Sequence, residues 1–196
     1  MQFIYCLTSL IAAASALPDF LGQPPAFKPF APSKYLGRWY EIGRSLPIYA
    51  TFERNNKCVQ ARYSLISSDP LKINVQNLAI DTKTDKLDAI NGTALSFATS
   101  DRPSDFGVSF TGKDATSVNY VVVNVWGDYE QALVGAGPFN IFMWILSRTP
   151  EISQERYDEI IAFAKSAGFN PDLILFRKTD QQSCAKADEL YPPFKA

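Results

Sequence analysis

From residue 37 to residue 148 the chain alternates short apolar and aromatic runs with clusters of turn-forming Ser, Asp, Gly and Pro. Inside these runs apolar and polar positions follow a period of two. In the run at 58–65, Val59, Ala61, Tyr63 and Leu65 share one face. A period of two is typical of a strand with one buried face, and turns at this spacing predict about eight antiparallel strands in a sandwich or barrel.

Two further runs alternate in the same way, each with one inward face: Ile73, Val75 and Asn77, then Phe106, Val108 and Phe110. The inward faces therefore mix bulky rings, small residues and one amide, Asn77. A buried amide without a partner is costly. We expect a cavity that holds a ligand with a polar group at least as readily as a solid core.

Beyond Arg148 the period changes to about 3.6 residues, which predicts an amphipathic helix. Ser153 can cap its first turn, and Gly168 and Pro171 end it. Its apolar stripe consists of Tyr157, Ile160, Ile161 and Ala164. The fold class is therefore all-β with one C-terminal α-helix, and we expect the apolar run at 173–176 to form a last short strand.

The N-terminal region divides into two segments. Residues 3–16 are uncharged and mostly apolar, end in Ala14-Ser15-Ala16, and are too short for the roughly 20 residues of a membrane-spanning helix. We interpret residues 1–16 as a cleaved signal peptide, so the protein is expected to be secreted and extracellular. Residues 17–33 hold five of the prolines and form an extended N-terminal arm.

The composition of the chain excludes several kinds of partner and of catalytic site. The net charge of −1, without a basic run, argues against nucleic acid as a partner. The chain has no histidine, which excludes Ser-His-Asp hydrolysis and His-ligated metal, and we expect no cofactor. Cleavage of the signal peptide removes Cys6 and leaves Cys58 and Cys184, an even pair that predicts one long-range disulfide.

Four segments, in this order and followed by a helix, resemble the motifs of the lipocalin family: KYLGRWYEI at 34–42, CVQARYSL at 58–65, GDYEQALV at 127–134 and WILSRTP at 144–150. The resemblance covers about residues 34–184 and is greatest to apolipoprotein D-like and bacterial outer-membrane lipocalins. Lipocalins are eight-stranded up-and-down antiparallel barrels that hold one small ligand. The resemblance implies that fold here, with residues 185–196 as a C-terminal tail.

The resemblance also implies roles for single residues. Gly37 bends the first strand at the closed end of the barrel, Trp39 plugs that end, and Arg148 lies across the indole ring. Cys58 and Cys184 match a disulfide from the second strand to the C-terminal tail. Four residues match positions that line the ligand pocket: Tyr63, Asn77, Phe110 and Trp144.

These features favour a carrier for a small hydrophobic ligand such as a fatty acid, a lysophospholipid, a retinoid or a sterol-like compound. One alternative is an enzyme on the same fold, of the isomerase or de-epoxidase type. It would need an unpaired inward cysteine or two carboxylates facing the cavity, and the alternation indicates neither. A second alternative, a carrier of a bilin or carotenoid chromophore, stays open.

The sequence also predicts a glycosylation site and an apolar hairpin on the surface. Asn91-Gly92-Thr93 is a glycosylation sequon, and the alternation places Asn91 on the water-facing side. The predicted hairpin at 135–144 carries Phe139, Ile141 and Phe142. These side chains either roof the cavity or contact a membrane or lipoprotein surface.

Overall fold

The computed structural model describes residues 22–51, 53–182 and 184–194. The predicted signal peptide at 1–16 and the first part of the arm lie outside the described residues. The helices are α1 (Pro32–Tyr35), α2 (Leu46–Thr51), α3 (Gln154–Ser166) and α4 (Ala185–Leu190), with a 3₁₀ turn at Pro138–Asn140. The strands are β1 (Gly37–Arg44), β2 (Asn56–Ser68), β3 (Leu71–Asp81), β4 (Leu87–Ser96), β5 (Asp105–Ser109), β6 (Tyr120–Trp126), β7 (Gln131–Ala136), β8 (Phe142–Ser147) and β9 (Arg177–Lys178).

Strands β1 to β8 form a closed antiparallel barrel, as the sequence predicts. Each strand pairs with the next one along the chain, and β1 pairs with both β2 and β8. Trp39 on β1 lies opposite Ala61 on β2, and Glu41 lies opposite Leu146 on β8. Closure leaves no free edge among the eight barrel strands, and β9 adds only two residues beside β1.

The N-terminal arm seals the base of the barrel. The backbone N–H of Phe27 donates to Ser104 Oγ at 2.9 Å and to the carbonyl of Val122 at 2.8 Å. The ring of Phe30 packs edge-on against Phe106, with 5.7 Å between ring centroids. Pro32 begins the short helix α1, where its missing N–H costs no helical hydrogen bond. The arm is therefore part of the core rather than a free lead-in.

Helix α3 packs its apolar stripe on the outside of the barrel, as predicted. Ser153 caps it by accepting a hydrogen bond from the backbone N–H of Arg156 at 3.1 Å. Ile160 and Ala164 are fully buried against the barrel. The helix ends at Ser166, two residues before Gly168, whose φ is +88°.

None of the described helices combines the length and apolar character needed to cross a bilayer.

The predicted strand at 173–176 is wrong. The chain turns there instead, because Leu173 N–H donates to Asn170 Oδ1 at 3.0 Å and Ile174 N–H donates to the Asn170 carbonyl at 3.0 Å. Local bonding to Asn170 thus replaces strand pairing, and Leu175 adopts a positive φ of 48°. The short strand begins later, at Arg177, where the chain pairs with β1.

The predicted disulfide between Cys58 and Cys184 is confirmed. It joins β2 to the residue before α4, with 5.7 Å between the Cα atoms. The hydroxyl of Tyr191 donates to the carbonyl of Cys58 at 2.6 Å, and Ala187 packs beside it. The predicted tail therefore includes a helix that covers the outer face of β2 and β3 near Leu78 and Ile80.

Candidate ligand-binding site

The closed end of the barrel is built around Trp39. Gly37 has a φ of +100°, and a Cβ at this position would lie 3.2 Å from Arg148 Nη1. The guanidinium Cζ of Arg148 lies 3.6 Å from the centroid of the Trp39 ring, which is fully buried. The indole N–H donates to the carbonyl of Tyr35 at 2.8 Å. These contacts close one end of the barrel and leave the other end as the only candidate entrance among the described residues.

A cavity of about 500 Å³ lies between this closed end and the opposite, open end. A volume of that size is typical of pockets that enclose a small organic ligand. Its wall is predominantly apolar, with contributions such as Val59, Ile73, Val75, Ala94 and Leu146. The barrel therefore encloses a preformed concave site rather than a fully packed core.

Three tyrosine hydroxyls meet at the floor of the cavity. Tyr120 shares a hydrogen bond with Tyr35, at 2.6 Å between oxygens, and a second with Tyr63, at 3.2 Å. Burial raises the pKa of Tyr63 to about 12 and holds the pKa of Tyr35 and of Tyr120 well above the usual value. The three phenols are therefore neutral near pH 7. The two hydrogen bonds use two of the three O–H donors, so the floor presents the tyrosine rings and one O–H donor that these bonds do not use.

Trp144 forms part of the side wall. Its indole N–H donates to Glu53 Oε1 at 3.3 Å, and its ring stacks on Phe142, with 6.4 Å between centroids and an interplanar angle of 26°. Tyr120 lies on its other side at 6.4 Å. A hydrogen-bonded, stacked indole of this kind presents a large flat apolar surface to the cavity.

Asn77 and Phe110 occupy different depths of the same wall. Asn77 lies on β3 between Ala61 and Ile90 of the neighbouring strands, and its Oδ1 is buried without a hydrogen-bond partner. Phe110 follows the last residue of β5, is 39% exposed and packs over Gly92. The structure thus brings the four predicted ligand residues, Tyr63, Asn77, Phe110 and Trp144, onto the wall of one cavity.

The expectation that no carboxylate pair faces the cavity is wrong. Glu41 and Glu53 both line it. Glu41 accepts hydrogen bonds from Arg44 Nη1 and Thr179 Oγ1, while Arg44 Nε lies 3.4 Å from Glu53 Oε2. Burial, and next the charge of Glu41, hold the pKa of Glu53 well above its usual range.

Sequence reasoning had a signal for one member of this pair. Glu41 follows Trp39 by two residues on β1, so the same alternation that turns Trp39 inward also turns Glu41 inward. Glu53 lies after α2, in a connection without any alternation. Only the folded chain shows that this connection reaches back to the cavity wall.

The apolar residues of the predicted hairpin separate into two groups. Phe139 is 51% exposed and, with Ile141, borders a shallow groove formed with Leu46, Pro47, Leu173 and Ile174. Phe142 instead lies on the cavity wall, because it falls on β8 beside Trp144. The prediction that Phe142 contacts a membrane or lipoprotein surface is therefore wrong.

Asn91 lies on β4 and is exposed, and its Oδ1 accepts a hydrogen bond from Gln76 Nε2 at 3.3 Å. Glycosylation at Asn91 stays a prediction. In the part of the chain that the structure describes, no group of three or more Cys, Asp or Glu side chains is arranged to hold a metal ion.

A family model for a lipocalin-like domain matches residues 32–179. The chain is a lipocalin. It is 34% identical over 149 residues to the outer membrane lipoprotein Blc of Citrobacter freundii, a match that covers 76% of this lipocalin and 79% of the relative. It is 30% identical over 191 residues to apolipoprotein D of Macaca fascicularis, which covers 94% of this lipocalin and 96% of the relative.

Solved structures agree with this lipocalin in fold. The cockroach allergen Per a 4 superposes with a TM-score of 0.62 at 19% identity, covering 85% of this chain and 98% of the allergen. Lobster apocrustacyanin A1 gives a TM-score of 0.63 at 18% identity, covering 89% and 98% of the two chains. Identities this low show a shared barrel and carry no statement about the ligand.

Proposed function

We propose that this lipocalin is a secreted carrier that binds one small hydrophobic ligand in the barrel cavity, for transport or sequestration. The observation that carries the proposal is the enclosed apolar cavity of about 500 Å³, with a few polar groups on its wall. Burial of an apolar ligand in such a site is favourable by about 25 cal/mol for each Å² removed from water. Fatty acids, lysophospholipids, retinoids and sterol-like compounds are the candidate classes.

Two further observations support this function. A relative with 30% identity over 191 residues is named an apolipoprotein, which is a name for a protein that associates with lipid. The disulfide between Cys58 and Cys184 is typical of proteins from oxidising compartments, which agrees with secretion.

Catalysis is the second function to weigh, because Glu41 and Glu53 meet the carboxylate requirement of an enzyme on this fold. The carboxylate of Glu41, however, already accepts from Arg44 and Thr179, and its backbone carbonyl accepts from Gln181 Nε2 at 2.8 Å. Both cysteines among the described residues are joined in the disulfide, so neither is a free nucleophile. These contacts support a structural role for the pair and favour the carrier.

Native mass spectrometry of the protein from its own source tests the proposal. We expect an adduct of a small organic molecule that extraction with an organic solvent removes, and we expect the extracted protein to bind Nile red, a neutral hydrophobic dye. An absorption spectrum of the native protein distinguishes a bilin or carotenoid from a colourless lipid. Protein that carries no adduct and does not bind the dye would contradict the carrier function.

We also propose that the open end contacts a membrane or lipoprotein surface during ligand exchange. Phe139 and Leu173 are 51% and 71% exposed and border the same groove. The groove adjoins the hairpin between β7 and β8, and Gly137 and Phe142 of that hairpin also line the cavity. Ligand passing there from a lipid surface would cross little water.

A further inference from the structure

The residues that line the described cavity include three carboxylates and no Lys or Arg. We propose that the cavity selects a lipid whose polar head donates hydrogen bonds and bears no negative charge, such as a long-chain alcohol, a monoacylglycerol or an amine. A fatty-acid anion is thereby disfavoured. The inference rests on the proposed carrier function and specifies the class of ligand for the same site.

The charges around the cavity argue against a bound anion. Glu41, Glu53 and Asp88 lie on the wall. A proton retained on Glu53 would remove one negative charge, yet it would supply no positive one. A carboxylate buried without a cationic partner loses its hydration and gains no ion pair.

Arg44 is the cation that pairs with the two glutamates, with its Nη1 on Glu41 and its Nε 3.4 Å from Glu53 Oε2. It is buried, does not line the cavity, and binds Glu41 and the hydroxyl of Thr179, the latter at 3.0 Å. Its Nη2 donates to the carbonyls of Glu53 at 3.2 Å and Asn56 at 2.9 Å. A ligand carboxylate would have to break this network to reach the guanidinium.

The hydrogen-bonding atoms on the wall include acceptors that a donor on the ligand can use. Asn56 Oδ1 and Asn77 Oδ1 are buried without hydrogen-bond partners, and the carboxylate oxygens of Glu41 and Asp88 are further acceptors on the wall. Asn56 Nδ2 donates to Asp88 Oδ2 at 3.0 Å, which identifies the oxygen of this amide as its free atom. A buried acceptor without a donor is destabilising, so a donor on the ligand would relieve this cost. A donor on the ligand would reach a covered amide oxygen after the amide group rotates toward the cavity.

The positions of these acceptors also orient the ligand. Glu53 precedes β2 and Asn56 begins it, so both lie at the open end, and Asn77 lies deeper on β3. At the floor two hydrogen bonds join the hydroxyls of Tyr35, Tyr63 and Tyr120, so one of the three O–H donors is not used between them. The head of the ligand therefore lies near the entrance, and its hydrocarbon tail lies on the tyrosine rings.

Displacement of Nile red by ligands that share one hydrocarbon tail tests this selectivity. Oleyl alcohol, monooleoylglycerol and oleylamine donate hydrogen bonds, methyl oleate is neutral without a donor, and oleate is measured where it is ionised. We expect the alcohol or the glyceride to bind at least about tenfold more tightly than oleate and several-fold more tightly than methyl oleate. Oleylamine compared with the alcohol shows whether an ammonium or a hydroxyl is the preferred donor.

Asn77→Leu should reduce the difference between oleyl alcohol and methyl oleate, because it removes an acceptor and keeps the volume. Gln76→Leu is the matched control, since Gln76 is the preceding residue on β3 and faces outward toward Asn91. Oleate that binds as tightly as the alcohol, or an Asn77→Leu protein that keeps the full preference for the alcohol, would overturn the inference. Failure to bind Nile red at all would instead contradict the carrier function itself.

Discussion

Arg148 and Trp39 form the seal at the closed end of the barrel. Arg148 lies over the indole ring at 3.6 Å, and its guanidinium also donates to the backbone carbonyls of Arg38 at 2.7 Å and Leu36 at 2.9 Å. One side chain thus joins the end of β8 to the start of β1. A planar guanidinium can stack and donate in several directions at once, which a lysine ammonium cannot do.

The two inward-facing tryptophans should differ in what their loss changes. Trp39→Ala should lower the free energy of unfolding by about 3–5 kcal/mol, because it removes a fully buried ring. Trp144→Ala should weaken Nile red binding while the barrel stays folded, because Trp144 lies on the cavity wall. Urea unfolding and dye titration measure the two effects. If both variants bind the dye like the wild type, the cavity is not the binding site.

The disulfide should account for a large part of the stability. Cys58 and Cys184 are 126 positions apart, and in the chain-entropy model closing so long a loop contributes about 5 kcal/mol. The double variant Cys58→Ser plus Cys184→Ser should lose roughly that amount in urea unfolding. Alkylation of the mature protein without reduction should leave its mass unchanged, whereas two alkylated cysteines would exclude the bond.

Glu53 should make the stability depend on pH. Burial, and then the charge of Glu41, hold its pKa above the usual range in the folded chain, while Arg44 and the Trp144 N–H oppose this shift. Because the folded state holds the proton more tightly, the stabilising contribution is complete below the ordinary glutamate pKa. It is lost as the pH rises through the raised pKa.

Glu53→Gln should remove this part of the pH dependence and leave the variant more stable than the wild type above the raised pKa. Urea unfolding midpoints from about pH 4 to about pH 9 measure it. Glu151→Gln changes an exposed carboxylate and should reproduce the wild-type profile. A Glu53→Gln profile parallel to the wild type across that range would show that Glu53 ionises normally.

Asn91 should carry a glycan when the protein is made in a host that glycosylates secreted chains. The side chain is exposed on β4, although its contact with Gln76 and the strand pairing of its backbone both limit access after folding. If Asn91 is glycosylated, treatment of the native protein with a glycosidase increases its gel mobility. Asn91→Gln should abolish this shift. Mobility that the enzyme leaves unchanged would show that the site is unoccupied.

The sequence predicts the parts of this fold in which one period governs many residues. Alternation over β2 and β3 places Tyr63 and Asn77 inward, and the 3.6-residue stripe places Ile160 and Ala164 against the barrel. Prediction fails where a single local contact decides the conformation. Asn170 turns an apolar run that has the composition of a strand.

Several polar residues of the cavity wall could not be predicted from the sequence, because they do not belong to a periodic run. Glu53 lies in the connection between β1 and β2 and Asn56 begins β2, and the buried Arg44 donates to the backbone carbonyls of both. Tyr35 reaches the floor from α1, in a region that its prolines mark only as irregular. Long-range packing of connections, which no periodicity encodes, places these groups.

A water-insoluble ligand should enter the barrel from a lipid surface at the open end. Phe139 and Leu173 expose apolar surface around a groove at the open end. Insertion of such a patch into a bilayer depends on apolar area, and with a net charge of −1 it should hardly depend on salt. We therefore expect the wild type to co-sediment with phosphatidylcholine vesicles equally at low and high salt.

Two double variants separate this patch from exposed apolar surface in general. Phe139→Ser plus Leu173→Ser should abolish most of the co-sedimentation. Leu65→Ser plus Ile66→Ser is the matched control, because these side chains are 53% and 51% exposed near the β2–β3 turn, at the opposite end of the barrel. The control should pellet like the wild type. A loss of co-sedimentation confined to the Phe139→Ser plus Leu173→Ser variant would locate membrane binding at the open end. Equal pelleting of all three proteins, or no pelleting by any of them, would exclude the open end as a membrane-docking surface.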